Sequence, residues 1–366
     1  MAPVATLVSF RLGGSDGVAV EAHKWGAALG ELGFEVRRLA GELSEPLGDD
    51  DVVVPGLALD GATPAPRPAE IASALDGSDL VIVENVCSLP VNPDASRAVA
   101  VALAGHSGRV VLHHHDLPWQ RTNFREYEDE FPPRLPGALH VAINHRSRRE
   151  LEARGYAEPT TIHNRFDLDE PAHRADPPRR EATRAELGFA DNDVVLLQPA
   201  RAIPRKNVPG GVRYAAELQR ALPDRRVRYW LSGPAEDGYG PTLERVLERS
   251  VVPTTMGRAS TAAAAYAACD AVVFPSTWEG FGNPTIESIA ARRPLAVFRY
   301  PVIGEITAYG LRYFDLDDAP ALARFIRNPD ARLLDTNLRR ARINFSLADL
   351  PAAIDAAFSG HGWLAW

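Results

Sequence analysis

The chain has 366 residues, a mass of 39.8 kDa and a formal net charge of -8 at pH 7. At roughly 150 residues per domain, this length predicts two or three domains. An acidic chain lacks the basic surface that nucleic-acid binding needs, which excludes that class of protein. Its 45% hydrophobic and 24% charged residues are typical of a soluble folded protein. No apolar run reaches the roughly 18 residues that cross a bilayer.

The N-terminal residues contain an apolar stretch without a basic leader, which is typical of a strand rather than of a signal peptide. We therefore expect a cytoplasmic protein with no stable membrane insertion. Cys87 and Cys269 have apolar neighbours, so we expect two buried thiols and no disulfide framework or cysteine-based zinc site. Lys24 and Lys206 are the two lysines among 40 basic residues. An ammonium kept in so arginine-rich a chain makes Lys206 a candidate functional residue.

The N-terminal half alternates short β-branched runs with longer amphipathic stretches, the pattern of a parallel sheet covered by helices. The first strand is followed by a glycine-rich turn, a helix over 18–32 that ends at Gly33, and the second strand. Glycine- and proline-rich loops are predicted over 55–68 and 116–136. The predicted strands cover residues 6–10, 35–39, 80–84, 110–114, 140–143 and 160–162.

Proline, arginine and acidic residues become frequent over 169–184, which predicts a linker. Beyond it the alternation resumes. Two doubly wound α/β halves joined in this way form a cleft between the carboxyl ends of two sheets, where ligands usually bind. The predicted strands of the second half cover residues 194–198, 227–231, 271–274 and 295–298, and its predicted helices cover 211–221, 242–249, 261–268 and 284–292.

Gly13, Gly14 and Asp16 follow the first strand and open the first helix. Glycines there let backbone amides approach a bound group closely, and a helix N-terminus favours an anion. The segment is not G-x-G-x-x-G, and no acidic residue closes the second strand as a ribose ligand. An ordinary turn and a loop that binds an acceptor or a phosphate therefore both remain open.

His113, His114 and His115 come at the end of a predicted strand, and Asp116 follows them. Side chains alternate across a strand, so His113 and His115 share one face while His114 points to the other. Three adjacent histidines on a regular strand therefore do not converge on one metal ion. Because ligands sit at the carboxyl ends of parallel strands, we expect His115 to hydrogen-bond a substrate, with a structural role as the alternative.

Arg201 and Lys206 follow the first strand of the second half. A guanidinium and an ammonium that converge at a strand end can neutralise a diphosphate, the first through its planar fork and the second as a point charge. A solvated basic loop is the alternative. The position at the edge of the second sheet favours phosphate binding.

The most specific segment runs from Glu279 through Gly280, Phe281, Gly282 and Asn283 to a predicted helix that contains Glu287. Pro284 suits the first turn of that helix, so a glycine-containing loop leads into a helix N-terminus. Two carboxylates therefore stand on either side of a helix end. Carboxylates accept hydrogen bonds from the hydroxyls of sugars and riboses, and backbone amides suit the diphosphate between them.

These residues resemble glycosyltransferase family 4, retaining enzymes of the GT-B fold whose signature is a Glu, seven residues and a second Glu in a G-F-G-x-P context. The resemblance runs along most of the chain and also includes the glycine pair of the first loop, His115 with Asp116, and Arg201 with Lys206. It implies an N-terminal acceptor-binding domain over 1–170 and a nucleotide-sugar-binding domain over 171–345. A C-terminal segment over 346–366 is expected to cross back to the first domain.

The resemblance also implies roles for the residues. Glu279, Gly280 and Phe281 are expected to hold the donor sugar and Glu287 the ribose, and Gly282 and Asn283 are also expected to bind the donor. Arg201 and Lys206 are expected to bind the phosphates and His115 the transferred sugar. Gly13, Gly14, Asp16, Asp116 and Trp119 are expected on the acceptor side.

The implied reaction is hexosyl transfer from a nucleoside-diphosphate sugar to a small-molecule or glycoside hydroxyl with retention of configuration. Charge neutralisation of the departing diphosphate is the largest aid such a site can give. No residue stands out as a covalent nucleophile, and neither a cofactor nor a metal is expected. Asp315 and Asp317 look like the Asp-x-Asp of metal-dependent enzymes, but they fall late in the second half and we predict a turn there.

Three other functions are weighed against transfer. An oxidoreductase lacks the dinucleotide fingerprint and leaves the paired glutamates unexplained. A nucleotide-sugar 2-epimerase would share the architecture and the diphosphate pocket, and a non-catalytic nucleotide-sugar binding protein could keep the same residues. The donor base (UDP, GDP, ADP or TDP), the choice between glucose and mannose, the acceptor and the oligomeric state stay open, because such choices depend on fine geometry. Acceptor choice is expected to lie in the loop over 116–136, which contains Trp119.

Overall fold

The structure is a computed structural model that describes residues 2–14, 16–44, 48–169 and 177–363. Two compact units make up the chain: residues 1–165 with 347–366, and residues 166–346. The sequence placed the corresponding boundaries after residues 170 and 345. Each unit is a parallel sheet covered by helices, which is the predicted α/β class.

The first unit has seven parallel strands in the order β3-β2-β1-β4-β5-β6-β7. The strand order reverses direction between β1 and β4. The connections that follow these two neighbouring strands therefore run to opposite sides of the sheet. The strands are β1 (Val4–Leu12), β2 (Glu35–Leu43), β3 (Val52–Val53), β4 (Leu80–Glu84), β5 (Arg109–His114), β6 (Leu139–Ala142) and β7 (Thr160–Thr161).

Helices cover both faces of this sheet, and polar side chains cap several of them. Asp16 accepts hydrogen bonds from the amides of Val18 and Ala19, and Asn144 accepts one from Ser147. The helices are α1 (Gly17–Glu31), α2 (Pro68–Ala74), α3 (Pro93–Ala104), α4 (His145–Ala153) and the C-terminal α13 (Leu350–Gly360), with 3-10 turns at Pro55–Leu57, Pro118–Gln120, Thr122–Tyr127 and Leu347–Asp349.

Two apolar clusters sandwich the first sheet. One joins Trp25 and Leu29 of α1 to Ile354 and Phe358 of α13, so the end of the chain completes the core of the first unit. The other packs α2 and α3 against the opposite face, with Val99 at its centre. Burial of this apolar surface is what orders the strands and therefore the loops at their ends.

The second unit has six parallel strands in the order β10-β9-β8-β11-β12-β13. The direction of the order reverses between β8 and β11. The strands are β8 (Asp193–Gln198), β9 (Arg226–Leu231), β10 (Thr254–Met256), β11 (Ala271–Phe274), β12 (Leu295–Val297) and β13 (Phe314–Asp315).

Helices of the second unit pack on a core in which Tyr214, Tyr229 and Leu218 are fully or almost fully buried. Asn207 caps α6 and adopts a φ of 49°, a left-handed conformation that asparagine tolerates better than most residues. The helices are α5 (Pro177–Glu186), α6 (Val208–Ala221), α7 (Gly240–Glu248), α8 (Ala262–Ala268), α9 (Pro284–Ala290), α10 (Ile303–Ala308), α11 (Ala319–Arg327) and α12 (Ala331–Phe345), with a 3-10 turn at Pro204–Lys206.

Every strand and helix predicted from the sequence is present, with ends that differ by a few residues. The predicted linker over 169–184 is wrong in its second part, because helix α5 begins at Pro177; its residues 170–176 lie outside the described part of the chain. Prolines are well tolerated in a first helical turn. Arg184 is buried there and donates to the carbonyls of Ala268, Ala190 and Asp193, so its charge marks a structural contact.

The sequence missed the two-residue strands β3 and β13 and the three-residue β10, which lie at or near sheet edges and are too short to show periodicity. The predicted turn at Asp315 and Asp317 is present, because the amide of Asp318 donates to the carbonyl of Asp315 at 3.1 Å; Asp315 is also the last residue of β13. Cys87 and Cys269 are buried free thiols, as expected. Among the described helices, none has the length and apolar composition required to cross a membrane.

A buried chain of histidines links β5 to β6 in the first unit. The ring of His114 hydrogen-bonds Ser88 through Nδ1 at 2.6 Å and His140 through Nε2 at 3.0 Å. Burial, followed by the nearby charges of His361 and Arg134, lowers the pKa of His140 to about 4. Burial also lowers the pKa of His114. Both rings are therefore neutral in the folded protein at pH 7.

Replacing His140 by Asn should make the protein less sensitive to acid. The unfolded chain binds a proton at His140 near pH 6.5 and the folded chain only near pH 4, so stability is lost as the pH falls through this window, by up to about 3 kcal/mol for this residue. Asn keeps a polar atom at the position of Nδ1. Urea unfolding at pH 7 and pH 4.5 should show a smaller loss in the variant, and an equal loss in both proteins would contradict the assignment.

Candidate active site

Two loops of the second unit meet at the end of its sheet. They follow β8 and β11, which are neighbours in parallel, so their carboxyl ends lie at the same edge. Hydrogen bonds tie the loops together: the Thr277 amide donates to the carbonyl of Arg205 at 2.9 Å, and the Asn207 side chain donates to the carbonyl of Pro275. The segments with Lys206 and with Glu279 are therefore adjacent.

A buried carboxylate joins these loops. Glu279 accepts from Lys206 Nζ at 2.6 Å through Oε1 and from Arg205 at 2.9 Å through Oε2. Burial by itself raises the pKa of Glu279, but the charges of Lys206 and Arg205 outweigh it and lower the pKa to about 2. Burial, partly opposed by Glu279, lowers the pKa of Lys206. The sequence missed Arg205, whose position next to Lys206 was the available signal.

Arg201 contacts a different partner. Its guanidinium pairs with Glu236 at 2.5 Å, and both side chains are about one-third exposed. The positive charge of Arg201 nevertheless contributes to lowering the pKa of Lys206, so the two cations repel each other. The structure thus brings Lys206 and Arg205 onto Glu279 and leaves Arg201 beside Glu236.

Tyr300 contacts the main chain of the loop that follows Glu279. The Tyr300 hydroxyl donates to the carbonyl of Phe281 at 2.8 Å, and the Phe281 ring packs against Phe166 and Phe345. Phe281 is 2% exposed, so its ring is buried among these side chains. Gly282 has a φ of 97°, and a Cβ there would lie 2.3 Å from the Tyr300 hydroxyl. Tyr300 therefore holds the backbone at Phe281 and Gly282 in place.

The second predicted carboxylate, Glu287, lies in the first turn of α9. It accepts a 2.7 Å hydrogen bond from the hydroxyl of Tyr266 in α8. Burial, together with the charge of Glu287, raises the pKa of Tyr266, so the phenol keeps its proton and fixes one oxygen of the carboxylate. Tyr266 carried no sequence signal, since nothing but the fold brings α8 next to α9.

In the first unit, the glycine loop is a turn that leads into α1. Gly13 has a φ of 76°, which requires the conformational freedom of glycine. Besides capping α1, Asp16 pairs with Arg11 at 2.9 Å. Asp16 therefore has a structural role in the described part of the chain, and its predicted acceptor role remains a prediction.

His115 lies in a cluster of buried polar side chains at the end of β5. Its Nε2 hydrogen-bonds Glu84 Oε2 at 2.7 Å, and His113 Nδ1 reaches the same oxygen at 2.9 Å. His113 and His115 thus share a face, and His114 points away, as predicted. Burial lowers the pKa of His115, but the hydrogen bond and charge of Glu84 outweigh it and raise that pKa overall.

The three side chains of this cluster are also of the types that bind metals, with possible ligand atoms within 4.8 Å of one another. Their separations of 2.7 and 2.9 Å are those of hydrogen bonds, and one oxygen accepts from both rings. A zinc ion would instead lie about 2.0–2.2 Å from each ligand, between them. The geometry fits a hydrogen-bonded triad, and the absence of a metal from the reaction stays a prediction.

The predicted acceptor residues Asp116 and Trp119 are both held by neighbours. Asp116 forms a bidentate pair with Arg121 at 3.0 and 3.1 Å. The Trp119 indole donates to Glu150 at 2.9 Å, and the Arg154 guanidinium lies 4.1 Å from the centre of its ring. These contacts order the loop in which acceptor choice was predicted.

Part of the second unit is similar to a known protein family. Residues 194–328 match the family described as glycosyl transferases group 1. This part of the chain is similar to the group 1 glycosyl transferases. It contains Arg201, Lys206, Glu279 and Glu287, whereas the histidine cluster of the first unit lies outside it.

Longer similarities cover both units. The chain is 27% identical to the mannosylglucosylglycerate synthase of Thermotoga maritima, over 90% of this chain and 88% of that protein. Anabaena HepE in complex with UDP-glucose superposes with a TM-score of 0.70 at 20% identity, covering 97% of this chain and 99% of HepE. For sucrose-phosphate synthase from Thermosynechococcus elongatus the values are 0.68 and 15%, with coverage of 99% and 100%. The fold is that of the GT-B glycosyltransferases.

Replacing Gly282 by Ala should destabilise the second unit by about 1–3 kcal/mol, because the new Cβ meets Tyr300 and the backbone keeps a positive φ. Adding Tyr300→Phe should recover part of that loss, since it removes the atom that clashes. Gly304→Ala is the matched control, as a Cβ there has open space in helix α10 and should be neutral or slightly stabilising. Urea unfolding measures all three, and an unchanged Gly282→Ala protein would contradict the geometry.

Proposed function

We propose that the protein is a retaining, metal-independent hexosyltransferase that moves a sugar of the glucose or mannose type from a nucleoside-diphosphate sugar to a hydroxyl of a small-molecule or glycoside acceptor. The observation that carries the proposal is the buried Glu279 with Lys206 and Arg205 at the carboxyl ends of β8 and β11, inside the group 1 domain. This is a charged site at the place in an α/β sheet where ligands bind.

Lys206 and the arginines supply positive charge for the diphosphate. The sugar–phosphate bond breaks more easily when the charge that develops on the leaving diphosphate is neutralised by groups already in position. Glu279 keeps Lys206 in place before the donor binds, and Arg205 adds a cation that the sequence did not assign. In this proposal Arg201 turns from Glu236 toward the phosphates when they are present.

The two glutamates select hydroxyl groups. Glu279 already accepts one hydrogen bond on each oxygen, and each carboxylate oxygen has a further lone pair for a sugar hydroxyl. Glu287, whose Oε2 is fixed by Tyr266, takes the ribose. The main chain from Gly280 to Asn283 lines the donor.

The first unit provides the remaining roles. His115 is assigned to the transferred sugar, because it combines a strand-end position with a ring that Glu84 holds in one orientation. Gly13, Gly14, Asp16, Asp116 and Trp119 are assigned to the acceptor. Two relatives similar over most of the chain are mannosylglucosylglycerate synthases, so glucosylglycerate with a mannose donor is the first pair to test.

The donor site is tested by thermal shifts with UDP, GDP, ADP and TDP. A nucleotide that binds the folded state stabilises it by RT ln(1 + [L]/Kd), which is about 2.7 kcal/mol at a hundredfold excess over Kd. We expect one nucleotide to raise the melting temperature most, with the shift reduced in Glu287→Ala and Lys206→Ala. The control is Arg327→Ala, which removes an exposed ion pair with Asp224 elsewhere in the unit.

Product analysis then tests the reaction. GDP-mannose and UDP-glucose are supplied with and without glucosylglycerate, in the presence and absence of EDTA. The proposal expects a glycoside with the donor's anomeric configuration, formed only with acceptor and unaffected by EDTA. A C2-epimerised donor without acceptor would instead identify an epimerase, and nucleotide binding without any turnover would identify a binding protein.

Lys206 gives the donor site a dependence on alkaline pH. Because burial lowers its pKa, Lys206 loses its charge below the usual range of lysine, and diphosphate affinity should fall as the pH rises through that value. Arginine at this position stays protonated. The Kd of the preferred nucleotide, measured by calorimetry from pH 7 to 10, should rise more steeply for wild type than for Lys206→Arg.

Titration of the nucleotide base affects the Kd of wild type and of Lys206→Arg equally, so the difference between the two proteins reports on residue 206. Parallel pH profiles for wild type and Lys206→Arg would show that Lys206 does not hold the diphosphate. Circular dichroism at each pH establishes that both proteins are folded.

A further inference from the structure

The residue that ends β4 holds the side chain of His115. Glu84 and His113 are opposite each other in the register of β4 and β5, and His115 follows two residues later. One oxygen of Glu84 accepts hydrogen bonds from both rings, at 2.9 Å from His113 and 2.7 Å from His115. Because Nε2 of His115 faces a carboxylate, that nitrogen carries the proton and Nδ1 is the nitrogen left to meet a ligand.

The next residue holds the backbone of the same histidine. Asn85 accepts hydrogen bonds through Oδ1 from the amides of His115 and Asp116, at 3.1 and 3.2 Å. Its φ of 65° turns the chain at the end of β4 so that the side chain points to β5. Glu84 and Asn85 together therefore fix both the ring and the main chain of His115.

Exposure distinguishes the members of the cluster. The His115 side chain keeps 7% of its surface exposed, against 1% for His113 and none for Glu84. A ligand can therefore touch His115, whereas Glu84 can act only through it. Burying a carboxylate costs several kcal/mol unless it is paired. The hydrogen bonds from the two histidines therefore offset the cost of burying Glu84.

We propose that Glu84 is a positioning residue that sets the tautomer and ring orientation of His115 for sugar transfer. The inference rests on the proposed function, since it requires His115 to contact the transferred sugar. Loss of a carboxylate that orients a functional histidine leaves the wrong tautomer, an effect that can far exceed that of a lost structural contact.

The test is a double-mutant cycle with Glu84→Gln and His115→Ala, measured with the donor and acceptor that the wild-type protein uses in the panel above. Glu84→Gln should lower kcat at least tenfold and leave KM for the donor within about twofold, because the donor site of the second unit is untouched. In the His115→Ala background, the same substitution should cost less than twofold in kcat, because a residue that acts through His115 has nothing left to position.

His114→Asn is the matched control. His114 lies on the same strand and is as buried as His113, but it faces Ser88 and His140 instead of Glu84. It should keep wild-type kcat even if it lowers stability. Unfolding free energies of all variants separate a loss of folded protein from a loss of rate.

A second readout does not depend on turnover. Long-range proton–nitrogen NMR correlations of the imidazole rings report which nitrogen of His115 carries the proton. We expect the Nε2 proton in wild type and a changed pattern in Glu84→Gln. A His115 that is protonated on Nδ1 alone in wild type overturns the inference.

The kinetic outcomes are equally decisive. Equal losses from Glu84→Gln in the wild-type and His115→Ala backgrounds would show that Glu84 does not act through His115, while the transferase itself stands. A wild-type protein that transfers no sugar with any donor of the panel would overturn the proposed function, and the role of Glu84 in transfer with it.

Discussion

Each unit of this protein is organised around a carboxylate buried at the end of its sheet. Moving a carboxylate out of water costs several kcal/mol, and that cost is met only by partners with good geometry. Glu279 has Lys206 and Arg205, and Glu84 has His113 and His115. In both cases the partners outweigh burial and lower the pKa of the carboxyl to about 2, so the charge is permanent at neutral pH. Pairing with the buried carboxylate fixes the position of the loop after β8 in the second unit and of the end of β5 in the first.

The parallel arrangement of neighbouring strands brings each buried carboxylate close to its partners. The partners of Glu279 follow β8 and Glu279 follows β11, two neighbours at the point where the strand order reverses. Glu84 ends β4, next to β5 with its histidines. An asparagine in a left-handed conformation turns the chain in each unit, Asn85 in the first and Asn207 in the second. The side chain of each asparagine also hydrogen-bonds a neighbouring loop, Asn85 to the amide of His115 and Asn207 to the carbonyl of Pro275. In each unit, the same residue therefore turns the chain and connects two loops.

The two lysines of the chain illustrate the same constraint. Lys206 contacts Glu279, and Lys24 contacts the buried Glu21 and the carbonyl of Arg165. Arg180 instead binds main-chain carbonyls at the end of α8 and the carboxylate of Asp270. Buried carboxylates also take arginine partners, as Glu279 does with Arg205 and Asp193 with Arg228. Both lysines of the chain thus contact a buried glutamate, although the sequence interpretation singled out only Lys206.

The sequence by itself determined the α/β class, ten of the strands, several helices and the glutamate segment, because hydrophobic periodicity and turn residues are local properties. It also placed His113 and His115 on one face, which follows from the period of a strand. It did not find Glu84, Arg205, Tyr266 or Tyr300, and it took the start of α5 for a linker. Glu84 and Tyr266 act on residues that are 31 and 21 positions away, and only the packing of β4 on β5 and of α8 on α9 brings them together. Local patterns carry no information on such distant partners, so the tertiary structure alone decided which of these side chains are paired.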